Sequence, residues 1–467
     1  MTDPGPFYES VIKQERNQHI MKVYFDTLGC MKNMDDADMA RGILEKSGHK
    51  TVESPDDADV IIVNTCGFIE PAKKESIDEV FTMAEYREQG KKLLVSGCLV
   101  QRYAMELYDE MPEVDGFIGV NDYERLPELL DEMDHSGRFV KNSSYNPESD
   151  AILSEHEVRY VAEGTYSTTL RISEGCSRNC AYCIIPKIRG PYRSKKEESI
   201  IAEAERLADA GVKELSIIAE DTGCYGIDLY GEPKLADLLR KLCRIDGIEW
   251  IRLMYCYEDH ITDDLIKAIA EEDKICKYID IPLQHASDAV LKRMRRKTTE
   301  DSICEKLDKL RKNIPRIAIR TTFITGFPGE TEDDIAELED FVDEQRFARV
   351  GVFTYSAEEG TDAAEMPDQV PEDIKEERRN LIMLRQLEIS NEHNQEMVGN
   401  VYDVIIDEID DDGSFIGRTR YDAPDIDNSV LFVSDHEHAP GDIVKVLIEE
   451  AYDYDLQGRE VSDEPSK

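Results

Sequence analysis

Positive charge is the scarcest thing in this chain. Its 56 lysines and arginines face 101 aspartates and glutamates, a formal net charge of −45 at pH 7. Broad attachment to nucleic acid needs basic side chains to neutralise phosphates, so that class of function is disfavoured and a basic partner is favoured instead. A host whose proteome is acidic throughout would be the plainer source of the charge. Long apolar runs are missing too: none reaches the about 18 residues of a membrane helix, so no membrane association is expected. The opening Met-Thr-Asp-Pro-Gly-Pro lacks both the charged and the apolar part of a secretory signal. The expected location is therefore the cytoplasm. There, 11 cysteines read as metal or redox ligands rather than as a disulfide framework.

Three of those cysteines stand together. Cys176, Cys180 and Cys183 form the spacing CxxxCxxC, directly after the apolar, strand-like run Thr168–Ile172. Three thiolates can hold three corners of a four-iron cluster and leave the fourth iron open to a substrate or cofactor. Zinc is the rival, but structural zinc sites close with four ligands, and no fourth Cys or His lies nearby.

Residues 1–20 read as a loose extension, with Met21 an alternative start. From 21 to 140 strands and helices alternate: strands at Lys22–Phe25, Asp59–Val63 and Lys92–Ser96, and helices at Met34–Lys46, from about Pro71, and near Arg102–Tyr108 and Tyr123–Met133. That alternation predicts a parallel α/β sheet. Each of the three strands ends just before a cysteine: Cys30, Cys66 and Cys98. Loops after the carboxyl ends of parallel strands line one crevice, so these distant thiols are expected to converge as a second three-thiolate site. Three ordinary small residues at strand ends are the plainer reading.

A polar stretch at 141–165 reads as a linker. A second β/α series over 166–392 has strands at Thr168–Ile172, Glu214–Ala219, Glu249–Met254, Tyr278–Ile281, Ile317–Phe323 and Val350–Thr354. Six units are too few for a closed eight-stranded barrel and suit a partial one, with chemistry at the loops following the strands. Residues 393–460 show short strands separated by Asp-Asp-Gly and Pro-Gly turns, a small β-barrel signal; residues 461–467 form a tail. The fold class is thus α/β multidomain with a C-terminal β-barrel.

In combination, these motifs resemble the methylthiotransferase family of radical S-adenosylmethionine (SAM) enzymes. The resemblance runs from Met21 to about Glu460 and includes Pro282-Leu-Gln-His285, Thr322 to Glu330 and a barrel of the TRAM type. It implies two 4Fe-4S clusters. The one on Cys176, Cys180 and Cys183 would bind SAM and generate a 5′-deoxyadenosyl radical; the auxiliary one on Cys30, Cys66 and Cys98 would carry the sulfur to be transferred. It also implies SAM contacts from Glu220, Asp221, Gly326 and Gly329, although Ala219 and Glu220 depart from the superfamily's glycines, and a plain turn with a cap serves equally for Gly326–Glu330. His285 reads as a hydrogen-bonded core histidine, and Arg293, Arg295, Arg296 and Lys297 first as a solvated helix face, with contact to a substrate or SAM carboxylate as the other reading. Cys224 and Cys256, near strand ends, read first as packing residues.

Two branches of that family differ in substrate: adenosine in transfer RNA, or an aspartate of small-subunit ribosomal protein twelve. From Glu396 to Lys467 there are 20 acidic and 5 basic residues, an excess well beyond the rest of the chain. An acidic barrel suits a basic ribosomal protein better than phosphate. The runs Thr419–Asp427, Lys375-Glu-Glu-Arg and Gln386–Ser390 also resemble the ribosomal-protein branch. Partners are then that protein or the assembling small subunit, an electron donor and a sulfur source, without direct nucleic-acid binding. A non-catalytic, metal-bearing ribosome-binding module is the alternative of another class. The acidic barrel is expected to select the ribosomal protein, so deleting the segment after Asn394 should leave SAM cleavage largely intact and weaken modification of that protein.

Overall fold

The structure is a computed structural model that describes residues 20–145 and 159–461. The chain divides into two compact units, Met1–Tyr160 and Val161–Lys467. All but the last residue of the expected extension at 1–20, most of the linker and most of the tail lie outside the described residues.

In the first unit, β1 (Lys22–Thr27), β2 (Lys50–Val52), β3 (Val60–Thr65), β4 (Lys92–Gly97), β5 (Gly116–Ile118) and β6 (Phe139–Lys141) form one sheet. Its order is β2-β1-β3-β4-β5-β6 and every pairing is parallel. Central β3 reads Val-Ile-Ile-Val-Asn-Thr and is buried at every position, as a parallel strand covered on both faces must be. Helices Met31–Lys46, Glu70–Ala84, Cys98–Glu110 and Leu126–Ser136 connect the strands. The sequence pattern missed β2, β5 and β6 because three residues carry no readable period, and Lys141 belongs to β6 rather than to a linker.

The second unit begins with β7 (Ser167–Arg171), then a two-stranded hairpin of β8 (Ser173–Glu174) and β9 (Arg193–Ser194). There follow β10 (Glu214–Ile218), β11 (Trp250–Leu253), β12 (Ile275–Gln284), β13 (Ala318–Thr325) and β14 (Arg349–Thr354). Apart from the hairpin, these strands pair in chain order as an open, all-parallel sheet of six. This is the partial barrel the spacing predicts. Its helices are set by amphipathic stripes and by caps: Thr299 and Thr331 each close a capping box on Glu300–Asn313 and Glu332–Gln345.

A closed barrel ends the unit: β15 (Val401–Ile409), β16 (Phe415–Thr419), β17 (Val430–Val433), β18 (Ile443–Ala451) and β19 (Leu456–Glu460), in the order β15-β16-β17-β19-β18. The fifth strand, β19, was not visible in the pattern, yet its pairing with both β17 and β18 closes the ring.

The joint between the two barrels is built from buried ion pairs. Glu214, the first residue of β10, sits fully buried between Arg252 (3.0 Å) and Arg418 of β16 (2.5 Å). Arg252 also donates to the Arg420 carbonyl (2.9 Å). Tyr278 donates to Asp427 (2.7 Å), Arg320 lies 3.4 Å from the same carboxylate, and Arg349 at the start of β14 pairs with Asp422. Glu214 and Arg349 open their strands and Arg320 is third of eight in β13, so the small barrel sits at the amino end of the sheet, opposite the loops that carry the cysteines. Part of the tail's acidic excess is therefore spent inside this joint rather than displayed to solvent.

The long helix Glu372–Met397 ties both ends together over about 39 Å. Near its start Lys375 donates to the Tyr355 carbonyl (2.8 Å) and Arg378 pairs with Glu330 (3.0 Å). Near its end Asn394 donates to the Tyr452 carbonyl (2.9 Å).

Candidate functional site

In the first unit, Cys30 follows β1 and precedes its helix, Cys66 follows β3, and Cys98 opens the helix after β4. The strand order puts β1, β3 and β4 side by side, so all three thiols reach one sheet edge. The side chain of Asn33 stands among them: Oδ1 lies 3.6 Å from the Cys30 sulfur and 4.0 Å from that of Cys98, while Nδ2 donates to the Thr65 carbonyl (3.0 Å). Gly29 has φ of +99°, and a Cβ there would fall 2.8 Å from the Cys66 Cβ, so only glycine permits this approach.

A buried polar web supports the three loops. Asn64 donates to the Asn33 carbonyl (2.8 Å) and accepts from the Tyr123 hydroxyl (3.0 Å), and the Ser76 hydroxyl both accepts from Cys66 N (3.0 Å) and donates to Cys66 O (3.2 Å). None of these partners stood out in the sequence. An Asn or Ser in an apolar run carries no mark of what it will bond.

In the second unit, Cys176, Cys180 and Cys183 follow the strand β8. The loop is clamped by backbone bonds from Cys176 N to the Gly190 carbonyl (3.1 Å) and from Ala181 N to the Met294 carbonyl (3.0 Å). Arg178 N donates to the Cys176 sulfur (3.4 Å). Burial, with neighbouring acids, pushes the Cys176 thiol up to about 11 and, again led by burial, that of Cys183 to about 12. Such thiols ionise only beside a strong positive centre, as a metal supplies.

Among the described residues, neither cysteine trio brings three ligand atoms within 4.8 Å of one another. A single zinc, with Zn–S of about 2.3 Å, would hold sulfurs about 3.8 Å apart. As they stand, neither trio closes on a single ion.

A cavity of about 330 Å³ opens on the loop, walled by Cys176, Arg178, Cys180, Asp221, Cys224 and His260, with Arg295, Arg296 and Lys297 at its rim. Arg178 organises one wall. Its guanidinium bonds Asp221 (2.9 Å), Asp259 (3.1 and 2.5 Å) and His260 Nδ1 (2.9 Å), and lies 4.1 Å from the Tyr257 ring centre. Burial would raise the Asp221 carboxyl, but its bonds to His260 and Arg178 outweigh that and hold it below the ordinary range.

Of the residues expected to touch SAM, Asp221 lines this cavity, and Glu220 adds its charge to the environment of Cys176 and Cys183. Gly326 and Gly329 are not among the residues that wall it. They form a turn folded on the Glu330 carboxylate, which accepts from Gly326 N (2.7 Å) and Phe327 N (3.3 Å). Gly326 has φ of +74°, and a Cβ there would strike the Lys375 side chain at 2.1 Å. The segment is a turn closed by a carboxylate cap.

His285 is fully buried, with Nδ1 accepting from Ser287 N (3.0 Å) and Nε2 lying 3.4 Å from Glu330 without a hydrogen bond. The basic run is solvated at Arg295 and Lys297, which are exposed, but not at Arg296. Arg296 is buried on Glu258 (2.8 Å) and the Pro282 carbonyl (2.9 Å), while Arg295, Arg296 and Lys297 reach the cavity. Cys256 is a packing residue with no exposed surface, whereas Cys224 reaches the cavity. Sequence reasoning missed Arg178, Asp259 and His260. Arg178 lies inside the cysteine loop, which was the one signal available for it.

Three matches with known families cover the chain: the radical SAM superfamily over residues 170–342, the TRAM domain over 398–461, and the uncharacterized protein family UPF0004 over 22–119. Among solved structures, the radical S-adenosylmethionine methyltransferase TsrM from Kitasatospora setae shares the fold, with a TM-score of 0.55 at 13% identity over 71% of this chain and 72% of that one. Fold and cysteine loop together define a radical SAM protein with a C-terminal TRAM barrel.

Relatives define the family more closely. The chain is 47% identical to the ribosomal protein uS12 methylthiotransferase RimO of Clostridioides difficile over 94% of this chain and 98% of that protein. It is 48% identical to the protein of that name from Clostridium perfringens (94% and 97%) and 47% identical to that from Desulforamulus reducens (92% and 98%). The chain belongs to the RimO family.

Proposed function

We propose that this chain methylthiolates ribosomal protein uS12, replacing a hydrogen on the β-carbon of one aspartate. The observation that carries the reading is likeness along nearly the whole length to proteins named for that reaction. Two cysteine trios on separate units, each offering three thiols, support it. In this reading Cys176, Cys180 and Cys183 hold one 4Fe-4S cluster and Cys30, Cys66 and Cys98 hold the other. When bound, the two clusters and SAM supply hydrogen abstraction from an unreactive carbon and the sulfur that takes its place.

The chain's own tasks are then positioning and exclusion of water. Arg178, fixed by Asp221 and Asp259, pins the middle of the cysteine loop so that its open side faces the cavity. Behind the loop Tyr182, Phe327 and Tyr355 pack edge to face, with ring centres 6.5 and 5.3 Å apart, and close off solvent. The acidic turn Asp410–Asp412 is exposed on the small barrel and attracts a basic protein before contact. A reductant and a sulfur source complete the system, which works in the cytoplasm with the assembling small subunit.

The test is mass spectrometry of purified uS12 and of transfer RNA after incubation with reconstituted enzyme, SAM, sulfide and reductant. A methylthio group on one uS12 aspartate supports the proposal. Methylthiolated transfer RNA with unmodified uS12 overturns it.

A further inference from the structure

Among the described residues, one set of three potential ligands converges tightly enough for a single metal ion, and it is not one of the cysteine trios. Asp221, Cys224 and His260 bring a carboxylate oxygen, a sulfur and an imidazole nitrogen all within 4.8 Å of one another. The Cys224 sulfur lies 3.1 Å from His260 Nδ1 and 3.3 Å from Asp221 Oδ2, and Asp221 Oδ2 lies 2.9 Å from His260 Nδ1. Asp221 comes from the loop after β10 and Cys224 from the short turn that follows it. His260 comes from the loop after β11.

A second observation points to a missing ligand. The Asp221 side chain is 1% exposed, yet its Oδ1 has no hydrogen-bond partner among the described residues. A buried carboxylate oxygen left bare costs free energy, and a cation beside it would recover that. The set also forms a wall of the cavity at the cysteine loop, which leaves room for a fourth, exchangeable ligand.

We propose that Asp221, Cys224 and His260 form a binding site for a borderline-soft divalent ion of the zinc class, distinct from both iron–sulfur sites. One thiolate, one imidazole and one carboxylate are ligand types that zinc accepts, and three protein ligands with one open position is the arrangement of a reactive rather than a structural site. The formal charge of the set, two negative with the thiol ionised, matches a divalent ion.

In the metal-free arrangement the Arg178 guanidinium takes the place of the cation, bonding both Asp221 and His260. It has somewhere else to go: two of its nitrogens already bond the two oxygens of Asp259. Metal entry therefore exchanges two Arg178 contacts for coordination without leaving the guanidinium unpaired. Arginine and metal compete for one place, and the occupancy of this cavity wall depends on zinc supply.

The test uses the full chain, anaerobically reconstituted with iron and sulfide, equilibrated with buffered zinc sulfate and washed. Iron and zinc are counted by plasma mass spectrometry. The expected result is about one zinc per chain beyond an unchanged iron count, with zinc X-ray absorption showing one sulfur at about 2.3 Å and nitrogen or oxygen at about 2.0–2.1 Å. Cys224→Ser and His260→Ala, each with iron content and circular dichroism of the parent, should bind zinc at least about tenfold more weakly. Arg178→Gln, which removes the competing cation, should bind it more tightly. The proposal falls if the parent takes up no zinc beyond the Cys224→Ser/His260→Ala double variant, or if the zinc spectrum contains no sulfur. Because the readout is metal content and coordination, this outcome is separate from whether uS12 is modified.

Discussion

The two cysteine trios are chemically alike and are built in opposite ways. Cys176, Cys180 and Cys183 lie within eight consecutive residues, and their loop is held by a few backbone bonds and by Arg178 from within it. Cys30, Cys66 and Cys98 are spread over 69 residues and meet only because β1, β3 and β4 are neighbours in one parallel sheet. Their support is a buried web of Asn33, Asn64, Ser76 and Tyr123. A local loop can be damaged one ligand at a time. A convergent site can also be lost by loosening the sheet beneath it.

The largest effect expected from breaking this comparison is at the local loop. Replacing Cys176, Cys180 and Cys183 together by Ala should abolish 5′-deoxyadenosine formation and remove about four of about eight irons. Chromatography of the nucleoside and iron analysis check this; reductive SAM cleavage by the triple variant would sink the assignment. The matching triple variant at Cys30, Cys66 and Cys98 should also lose half the iron but continue to form 5′-deoxyadenosine, with methylthio transfer gone. If SAM cleavage disappears as well in a folded variant, the two sites are not independent.

A smaller, measurable effect belongs to the joint between the barrels. Glu214→Ala leaves Arg252 and Arg418 buried without their shared carboxylate, a loss of about 3–5 kcal/mol by denaturant unfolding. Burial alone would raise the Glu214 carboxyl, but Arg418 and Arg252 hold it at about 2, below its ordinary 4.5. A depressed carboxyl contributes stability that is complete above about 4.5 and is lost as pH falls toward 2. The unmodified chain should thus lose stability across that window more steeply than Glu214→Ala; equal slopes would contradict the pairing. Deleting everything after Asn394 is expected to unfold or aggregate the remainder rather than spare it, since Arg349 loses Asp422 and Arg320 is left with Asp280 alone.

Asn33→Ala sharpens the comparison at the convergent site. It frees the Thr65 carbonyl and removes the side chain between two cysteines, at a cost of about 1–3 kcal/mol. Methylthio transfer should fall while 5′-deoxyadenosine formation holds, and equal losses in both would place Asn33 in general folding instead. The smallest effect is expected on the exposed acidic turn: Asp410, Asp411 and Asp412 changed to Lys should slow association with uS12 at low salt. The difference should shrink as screening reaches about 10 Å at 0.1 M. Stopped-flow rates at two ionic strengths decide it, and a salt-independent or faster association would remove the turn from docking.

The sequence by itself determined what depends on neighbours along the chain. The CxxxCxxC loop, the β/α alternation of both units, the strand-end position of Cys30, Cys66 and Cys98, and the turn-rich signal of the C-terminal strands were all legible, because period and spacing are local properties. Three-residue strands were not, for want of a period. Tertiary structure alone decided which polar residues became partners. Glu214 meets Arg418 across 204 positions, Asn33 meets Thr65 across 32, and Arg178 meets His260 across 82. Each pairing exists because folding removes water from polar groups and leaves them to bond the few partners that share their place in the interior, and nothing in the order of residues records which those will be.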